Sequence, residues 1–331
     1  MTIRRDVASA GQTRSAAQRE GADFITDVQY YLRQVPRQLP SRYLYDSLGS
    51  ALFDAICQLP WYGVTRAEAQ LLRKHRGEIF GHLGALSSVI ELGMGTGEKL
   101  RTLLAEQANF VPSAIHLIDV SAAALTASSR ALGELGGATV VTHQARYEDG
   151  LDEFAREPRE PGRTLALFLG SNIGNFDRPA CDAFLRTVRA ALTSGDALLL
   201  GADLIKPEGR LLRAYDDPLG VTAAFNRNIL VRINRELDAN FDISAFAHRA
   251  IWNASASRVE MHLVSMRDQH VRIEAAALDA DLGVGEMIWT ESSYKYEPSS
   301  LVEDVERCGF HCLQQWIDAP DQFALMLFEA A

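Results

Sequence analysis

An apolar run that leads into three alternating glycines constrains the fold of this chain more than any other feature. Residues 89–99 (VIELGMGTGEK) predict a buried strand, a tight turn and the start of a helix over 98–106. Gly93, Gly95 and Gly97 allow positive φ and a close approach of the backbone to a ligand, because no Cβ stands in the way. The helix would point free N–H groups at that ligand. The stretch predicts a cofactor cradle, although a strand-to-helix turn without a ligand has a similar pattern.

The spacing of these glycines distinguishes between nucleotide cofactors. A pyrophosphate-binding turn has the pattern Gly-x-Gly-x-x-Gly, whereas the third glycine here comes one residue early. Glu91 precedes the glycines, and Asp119 follows the next apolar run, where a carboxylate would accept hydrogen bonds from ribose hydroxyls. This arrangement suits a nucleoside without a pyrophosphate, so it favours S-adenosylmethionine over NAD.

Composition and charge limit the function classes. The 331 residues are 47% hydrophobic and 23% charged, which is ordinary for a globular chain of one large or two modest domains. The net charge of −10 argues against a nucleic-acid partner, because phosphate contacts need a basic surface. Neither a membrane span nor a secretory signal is recognisable. We therefore expect a cytoplasmic monomer that acts on a small molecule, without a membrane partner.

The cysteines predict neither disulfides nor a metal site. They are few and scattered, at Cys57, Cys181, Cys308 and Cys312, so a disulfide framework is not expected. Cys308 and Cys312 flank His311, but no second pair of ligands accompanies them. We predict no metal.

Strand and helix patterns alternate along most of the chain, which is typical of a parallel sheet covered on both faces. The predicted strands cover 88–92, 114–118, 138–142, 164–169 and 197–203, and the predicted helices cover 121–134, 147–155 and 178–192. Ser300 to Glu303 form a candidate capping box for a helix ending at Gly309. Strands at 312–317 and 323–328 follow, joined by a short turn that makes them antiparallel. The order predicts an α/β fold, a class I methyltransferase (Rossmann-like) sheet with an antiparallel C-terminal hairpin.

A second, smaller α+β domain is predicted from two segments outside this alternation. The insertion after the fifth strand contains a candidate helix and a candidate strand pair, at 222–237, 259–266 and 270–275. The N-terminal part is expected to pack with it, and substrate is expected between the lobes. The predicted division is a flexible tail (1–23), a substrate-binding or lid domain (24–73 and 205–290) and a cofactor-binding domain (74–204 and 291–331).

Eight separated stretches carry a family resemblance that spans about residues 24–329. They are 45–54 (YDSLGSALFD), 65–68 (TRAE), 91–99, 119–121 (DVS), 168–176 (FLGSNIGNF), 220–226 (GVTAAFN), 260–263 (EMHL) and 290–296 (TESSYKY). In this order they resemble histidine-specific, S-adenosylmethionine-dependent Nα-methyltransferases, the family that makes hercynine (histidine betaine) for ergothioneine biosynthesis. The resemblance implies methyl transfer to the α-amino nitrogen of L-histidine, three times in all.

The resemblance also implies an amino-acid pocket. Its lining would be Tyr45, Tyr62, Gly170, Asn175, Tyr215, Met261, Glu291 and Ser293. Asn175 follows the fourth strand, where the carboxyl ends of a parallel sheet meet ligand, and its amide can bind both the carboxylate and the amine of an amino acid. Tyr215 would give the carboxylate a second donor. Without the family, Asn175 is equally well explained as a turn former and Tyr215 as a half-buried aromatic of the lid.

Glu291 and Ser293 are the most direct sequence indication of histidine. They lie two apart on a candidate strand, so their side chains share one face. There the carboxylate can accept an imidazole N–H while the hydroxyl completes the pair of contacts. An apolar amino acid would leave the carboxylate unpartnered, and sites of this kind reject such analogues by large factors. The alternative is a polar outer face of an exposed strand.

The predicted chemistry is an in-line attack of the α-amine on a sulfonium methyl, which requires positioning and an unprotonated amine rather than a nucleophilic side chain. Tyr45, Tyr62 and Asn175 are the predicted catalytic residues. The tyrosines orient the amine, with proton acceptance as the weaker hypothesis, and their rings would attract a methylated ammonium. The predicted cofactor contacts are Glu91, Gly93, Gly95, Gly97, Lys99, Asp119 and Tyr147.

Two departures from the family pattern leave alternatives open. The family commonly has Tyr-Tyr-Pro-Thr where residues 61–65 here are WYGVT, and Gly-Asp before an aromatic where residues 145–147 are ARY. The access loop and the adenine contacts are therefore expected to differ. One alternative is the same fold and cofactor with another amino acid or a modified histidine as substrate. The more remote alternative is an NAD-dependent oxidoreductase or a non-catalytic nucleotide-binding protein.

Overall fold

The computed structural model describes residues 16–95, 97–104, 112–133 and 137–331. Its helices are α1 (Ala16–Tyr31), α2 (Ser47–Cys57), α3 (Val64–Leu83), α4 (Glu98–Leu104), α5 (Ala122–Gly133), α6 (Tyr147–Arg156), α7 (Arg178–Ala191), α8 (Glu208–Tyr215), α9 (Val221–Leu237) and α10 (Pro298–Arg307). Its strands are β1 (Arg37–Gln38), β2 (Leu86–Leu92), β3 (Ala114–Asp119), β4 (Thr139–Gln144), β5 (Arg163–Phe168), β6 (Ala197–Asp203), β7 (Phe246–Asn253), β8 (Arg258–Ser265), β9 (Gln269–Ile273), β10 (Leu278–Leu282), β11 (Met287–Tyr294), β12 (Phe310–Asp318) and β13 (Phe323–Ala330).

A seven-stranded sheet forms the larger part of the molecule, in the order β12-β13-β6-β5-β2-β3-β4. The pairs among β2 to β6 are parallel, and β13 is antiparallel to both of its neighbours. Every residue of β6 is buried, as expected for a central strand covered by helices on both faces. The predicted class I methyltransferase sheet with its antiparallel C-terminal hairpin is confirmed.

The smaller part of the molecule contains a four-stranded sheet, β1-β11-β8-β7, and a separate two-stranded hairpin, β9–β10. Strand β1 of the N-terminal part pairs with β11, and helix α2 packs on α9 of the insertion. The N-terminal part therefore packs with the insertion, as predicted. Apolar residues of both segments, such as Leu44 and Ile229, are buried in one shared core.

Two local predictions were wrong. The strands predicted at 259–266 and 270–275 both form but do not pair, because β7 and β11 occupy both edges of β8 and β9 pairs with β10. Helix α10 begins at Pro298 rather than at the capping box, since a proline in the first turn has a preset φ and needs no donor. Helix α1 begins at Ala16 and so extends into the predicted tail of residues 1–23, whose flexibility stays a prediction.

The predicted domain limits stay predictions, and two of them fall inside elements. The limit at 73/74 lies within α3, whose buried face packs on β6, β12 and β13 of the large sheet. The limit at 290/291 lies within β11, which pairs along its whole length with β8. Residues 1–15, and residues 105, 106 and 134 at the ends of two predicted helices, lie outside the described residues.

Two further observations concern the chain as described. None of its helices is both long and apolar enough to cross a membrane. Its four cysteines are free, with Cys181 and Cys308 buried in the core under the large sheet.

Candidate active site

The glycine turn after β2 has the backbone geometry that the sequence predicts. Gly93, Gly95 and Gly97 have φ values of 69°, 58° and 73°, a region that favours glycine. A Cβ on Gly93 would lie 2.5 Å from the hydroxyl oxygen of Tyr147, and one on Gly97 would lie 3.0 Å from Ser128. The turn lies at the carboxyl ends of the strands beside the switch point between β2 and β5, where open α/β sheets bind ligands.

Glu91 offers two unused acceptors beneath this turn. Its side chain is 1% exposed, and neither carboxylate oxygen has a hydrogen-bond partner among the described residues. Burial raises the pKa of Glu91 to about 8, against the opposing charge of Lys99. Buried polar atoms are rarely left unpaired, so this carboxylate fits a ligand that brings its own donors.

Asp119 and Tyr147 lie on the elements beside the turn. Asp119 ends β3, and its carboxylate accepts the backbone N–H of Ser121 at 2.8 Å while burial raises its pKa. Tyr147 opens α6 and packs edge-on against Phe168. The preceding Arg146, one of the departures from the family pattern, forms an exposed ion pair with Asp23 at 2.7 Å. Asp119 and Tyr147 thus lie beside the turn, while the Arg146 guanidinium is engaged by α1.

Lys99 connects the cofactor cradle with the substrate side through a residue that the sequence analysis did not assign. Its Nζ lies 2.8 Å from Glu68 Oε2, and Glu68 Oε1 accepts the backbone N–H of Gly170 at 2.7 Å. Glu68 is fully buried on α3, opposite Gly201, where a Cβ would collide with the carboxylate. The available indication was an acidic residue at a position whose helical neighbours, Leu71 and Leu72, are apolar.

All eight residues predicted for the amino-acid pocket line one cavity. The lining also includes residues that the sequence analysis did not assign, namely Phe53, Ile56, Ser171, Asn172, Ala214, Thr222 and Phe225. The cavity lies between the carboxyl end of β5 and the four-stranded sheet. The predicted residues therefore converge, although their roles stay predictions.

One wall of the cavity is a polar cluster on β11 and its continuation. Glu291 and Ser293 are both buried and face the cavity, as their spacing predicts. Ser293 Oγ lies 2.8 Å from the Tyr215 hydroxyl, and Lys295 Nζ donates to both at 2.8 Å. Burial raises the pKa of Glu291 to about 7, while the ammonium of Lys295 acts to lower it. The wall is a buried, charged surface, so the alternative of an exposed polar strand face does not hold.

Much of the remaining cavity lining is aromatic and packs partly on Tyr215 of the polar cluster. The ring centroids of Tyr45 and Phe225 are 5.4 Å apart, and those of Tyr62 and Tyr215 are 6.3 Å apart, in edge-on geometry. Phe53 contacts both Tyr45 and Tyr62. Burial raises the pKa of Tyr45 and of Tyr62 well above the ordinary value. Both side chains are therefore neutral phenols, suited to orienting a group by hydrogen bonding and poorly suited to acting as phenolate bases.

Asn175 and Met261 complete the cavity from the two sheets. Asn175 ends a 3-10 turn (Asn172–Asn175) after β5, is exposed and lines the cavity. Met261 lies on β8 directly opposite Glu291 in the strand register. The large parallel sheet thus supplies an amide, and the smaller sheet supplies the buried acid and its apolar neighbour.

A separate group of possible metal ligands lies on the outer strands of the large sheet. His116 Nδ1 and His143 Nε2 are 3.2 Å apart, and Glu157 approaches both. His143 Nδ1 also contacts Glu153 at 3.0 Å. A chain of hydrogen bonds from Glu153 through His143 to His116 links these side chains.

Comparisons with known proteins identify the family of the chain. Residues 24–330 match the family model described as histidine-specific, S-adenosylmethionine-dependent methyltransferase. The histidine N-alpha-methyltransferase of Mycolicibacterium smegmatis is 42% identical over 308 residues, covering 91% of this chain and 93% of that protein. Its counterpart from Mycobacterium tuberculosis is 41% identical over the same shares. Ergothioneine biosynthesis protein 1 of Schizosaccharomyces pombe is 28% identical over 84% of this chain and 37% of that protein. The chain belongs to the family of histidine-specific, S-adenosylmethionine-dependent methyltransferases.

Proposed function

We propose that this protein transfers methyl groups from S-adenosylmethionine to the α-amino nitrogen of L-histidine, and that three transfers give hercynine for ergothioneine biosynthesis. The observation that carries the proposal is the cavity itself. It holds an acid and a hydroxyl for an imidazole, an exposed amide, and an aromatic lining, all next to the glycine turn. The names of the relatives and of the family point to the same substrate and cofactor.

The residues around the glycine turn fit the proposed cofactor. Glu91 provides unused buried acceptors, Asp119 ends the neighbouring strand, and Gly93 and Gly97 leave room that a Cβ would fill. Lys99 and Tyr147 are proposed to complete this surface. S-adenosylmethionine supplies an electrophilic methyl group on a sulfonium. The contribution of this chain is to hold the two reactants in line, which can supply a large part of a rate enhancement.

The substrate contacts follow from the polar wall and the aromatic lining. Glu291 is proposed to accept an imidazole N–H and Ser293 to contact the other ring nitrogen, while Asn175 and Tyr215 bind the carboxylate. Tyr45 and Tyr62 then orient the α-amine, which loses its proton to water, because both phenols have raised pKa values and remain protonated. After the first transfers, the aromatic rings attract the growing methylammonium.

A mass measurement tests the proposal. The purified protein is incubated with histidine and S-adenosylmethionine, and the mass of histidine is followed through gains of one, two and three methyl groups. The expected end product carries three. Phenylalanine and tryptophan serve as parallel substrates, and transfer to either of them without transfer to histidine would contradict the proposed substrate. Accumulation of a mono- or dimethyl product would contradict the proposed number of transfers.

A further inference from the structure

A fully buried ammonium lies directly behind the polar wall of the cavity. Lys295 Nζ lies 3.0 Å from Asp203 Oδ2 and donates at 2.8 Å to each of the hydroxyls of Tyr215 and Ser293. Asp203, which ends β6, binds Lys206 through its other oxygen at 2.5 Å. Lys295 belongs to the sequence stretch 290–296, but the proposed function gives it no task.

Lys295 is charged in this position. Burial acts to lower its pKa, but the Asp203 carboxylate and the Tyr215 hydroxyl outweigh burial and hold the pKa above its ordinary value. An ammonium has three N–H donors and no acceptor. Its three partners, Asp203, Tyr215 and Ser293, use all three donors. The hydroxyls of Tyr215 and Ser293 therefore accept from Lys295, and their own hydrogens must point away from it.

The direction of these hydrogens determines what the wall offers to a ligand. Ser293 and Tyr215 lie 2.8 Å apart, so at most one of their two hydrogens is used between them. At least one O–H is then left unused within the cluster. When Tyr215 donates, to Ser293 or to the substrate carboxylate, the Ser293 O–H is the one that can point into the cavity, next to the Glu291 carboxylate, which is an acceptor when ionised. One donor beside one acceptor matches a neutral imidazole, which has one N–H and one nitrogen lone pair. An imidazolium has two N–H donors, and its charge would lie close to Lys295.

We propose that Lys295 is a positioning residue that makes the Ser293 hydroxyl a hydrogen-bond donor, so that the pocket selects the neutral imidazole of histidine. The proposal rests on the proposed function, since it concerns how the same pocket recognises the imidazole of histidine. Lys295 contacts no substrate atom itself. It acts through the lone pairs that it occupies and through its charge behind the wall.

Lys295 also bears on the ionisation of Glu291. Among the described residues, the other titratable side chains that line the cavity with Glu291 are Tyr45, Tyr62 and Tyr215, all neutral phenols with raised pKa values. Lys295 is thus the cation that opposes the effect of burial on Glu291. Without it, the pKa of Glu291 rises further, and the carboxylate is lost as an acceptor at a higher pH.

The first test uses the wild-type protein. Histidine labelled with ¹⁵N in the ring is bound to the complex with S-adenosylhomocysteine near pH 6.5, where free imidazole is about half protonated. The expected ¹⁵N spectrum of the bound ring shows one N–H nitrogen and one unprotonated nitrogen. Two N–H nitrogens of a bound imidazolium would overturn the role of Lys295 and leave the proposed function intact. Histidine that does not bind would contradict the proposed function itself.

The second test compares Lys295→Met with Lys206→Met, which removes the other lysine on Asp203. Lys295→Met is expected to weaken histidine binding about tenfold or more, as for loss of a charge-assisted hydrogen bond, and to move the acid limb of the histidine Kd to higher pH. Lys206→Met is expected to keep the wild-type pH profile. Both should bind S-adenosylhomocysteine normally, which shows that they are folded. An unchanged pH profile in folded Lys295→Met, or the same shift in both variants, would overturn the proposal; should Lys295→Met fail to fold, the wild-type ¹⁵N spectrum decides.

Discussion

The cofactor cradle and the substrate pocket adjoin each other but are built in different ways. The cradle is made mostly of backbone within the eleven residues 89–99, whose glycines adopt positive φ. The pocket is made of side chains from both sheets and the N-terminal part, between Tyr45 and Ser293 in the chain. A contiguous stretch can encode backbone shape locally. A polar pocket depends on how distant segments pack.

The two regions also treat a buried acid differently. Glu91 in the cradle has no hydrogen-bond partner among the described residues, and burial raises its pKa to about 8. Glu291 in the pocket lies beside the buried ammonium of Lys295, and burial raises its pKa to about 7. Lys99 opposes the effect of burial at Glu91 as Lys295 does at Glu291, but Glu91 also experiences the charges of two further carboxylates, Glu68 and Asp119.

Replacing Glu291 by Ala should separate the two regions most strongly. The variant loses the acceptor for the imidazole N–H, and we expect kcat/KM for histidine to fall about a hundredfold or more, roughly 2.7 kcal/mol. S-adenosylhomocysteine should bind as in the wild type. Glu286→Ala, which alters a partly exposed acid next to the same strand, serves as the control. Retention of histidine activity in Glu291→Ala would show that the imidazole binds elsewhere.

Replacing Glu91 by Gln should change the pH dependence of stability. The folded-state pKa of Glu91 is about 8 against an ordinary 4.5, so between these values the folded state binds more protons than the unfolded state. This group therefore costs stability as the pH rises from about 4.5 to about 8, on the order of 5 kcal/mol. In thermal melts of the ligand-free protein, Glu91→Gln should gain stability over the wild type at pH 8.5 but not at pH 5. The same difference in melting temperature between the variant and the wild type at both pH values would contradict the raised pKa.

Replacing Gly93 by Ala should damage the cradle alone. The new Cβ would lie 2.5 Å from the Tyr147 hydroxyl at a φ of 69°, which costs about 1–3 kcal/mol. We expect S-adenosylhomocysteine to bind about tenfold or more weakly by calorimetry. Gly77→Ala in α3, where a Cβ would meet open space, is the matched control and should bind normally. Equal losses in both variants would mean that glycine replacement destabilises the chain in general.

Replacing Tyr45 by Leu or by Phe should have the smallest effect. The pair of variants separates the role of the Tyr45 ring from that of its hydroxyl. Leu removes the ring that attracts a methylammonium, which is worth about 0.5–2 kcal/mol, so the third transfer should slow roughly three- to thirtyfold relative to the first. Phe loses the orienting hydroxyl but keeps the ring. It should therefore keep the wild-type ratio of the third transfer rate to the first. Mass spectrometry of the mono-, di- and trimethyl products over time gives both ratios. The same ratio in Leu and Phe variants would exclude the ring as the site of the ammonium.

Sequence patterns predicted the contiguous features well. The glycine turn, strand β6 at 197–203 and the C-terminal hairpin follow from local periodicity and glycine chemistry. The start of α10 was missed because Pro298 competes with a capping box two residues later. The pairing of β8 was missed because the choice among β7, β9 and β11 depends on the packing of the whole insertion.

Prediction of the pocket residues depended on the family resemblance as well as on residue spacing. The spacing of Glu291 and Ser293 predicted one shared face, and the structure places both in the cavity. Nothing local to Glu68 or Lys295 predicts what they contact, because their partners Lys99 and Asp203 lie far away in the chain. Buried charges of this kind are identified only when the fold brings their counter-charges together.

A crystal structure of the protein with S-adenosylhomocysteine and histidine tests the central claim most directly. We predict an imidazole ring between Glu291 and Ser293, with the α-amine directed toward the glycine turn and the carboxylate at Asn175. Histidine bound with its ring among Tyr45, Phe53 and Phe225, away from Glu291, would contradict the assignment of the polar wall to the imidazole.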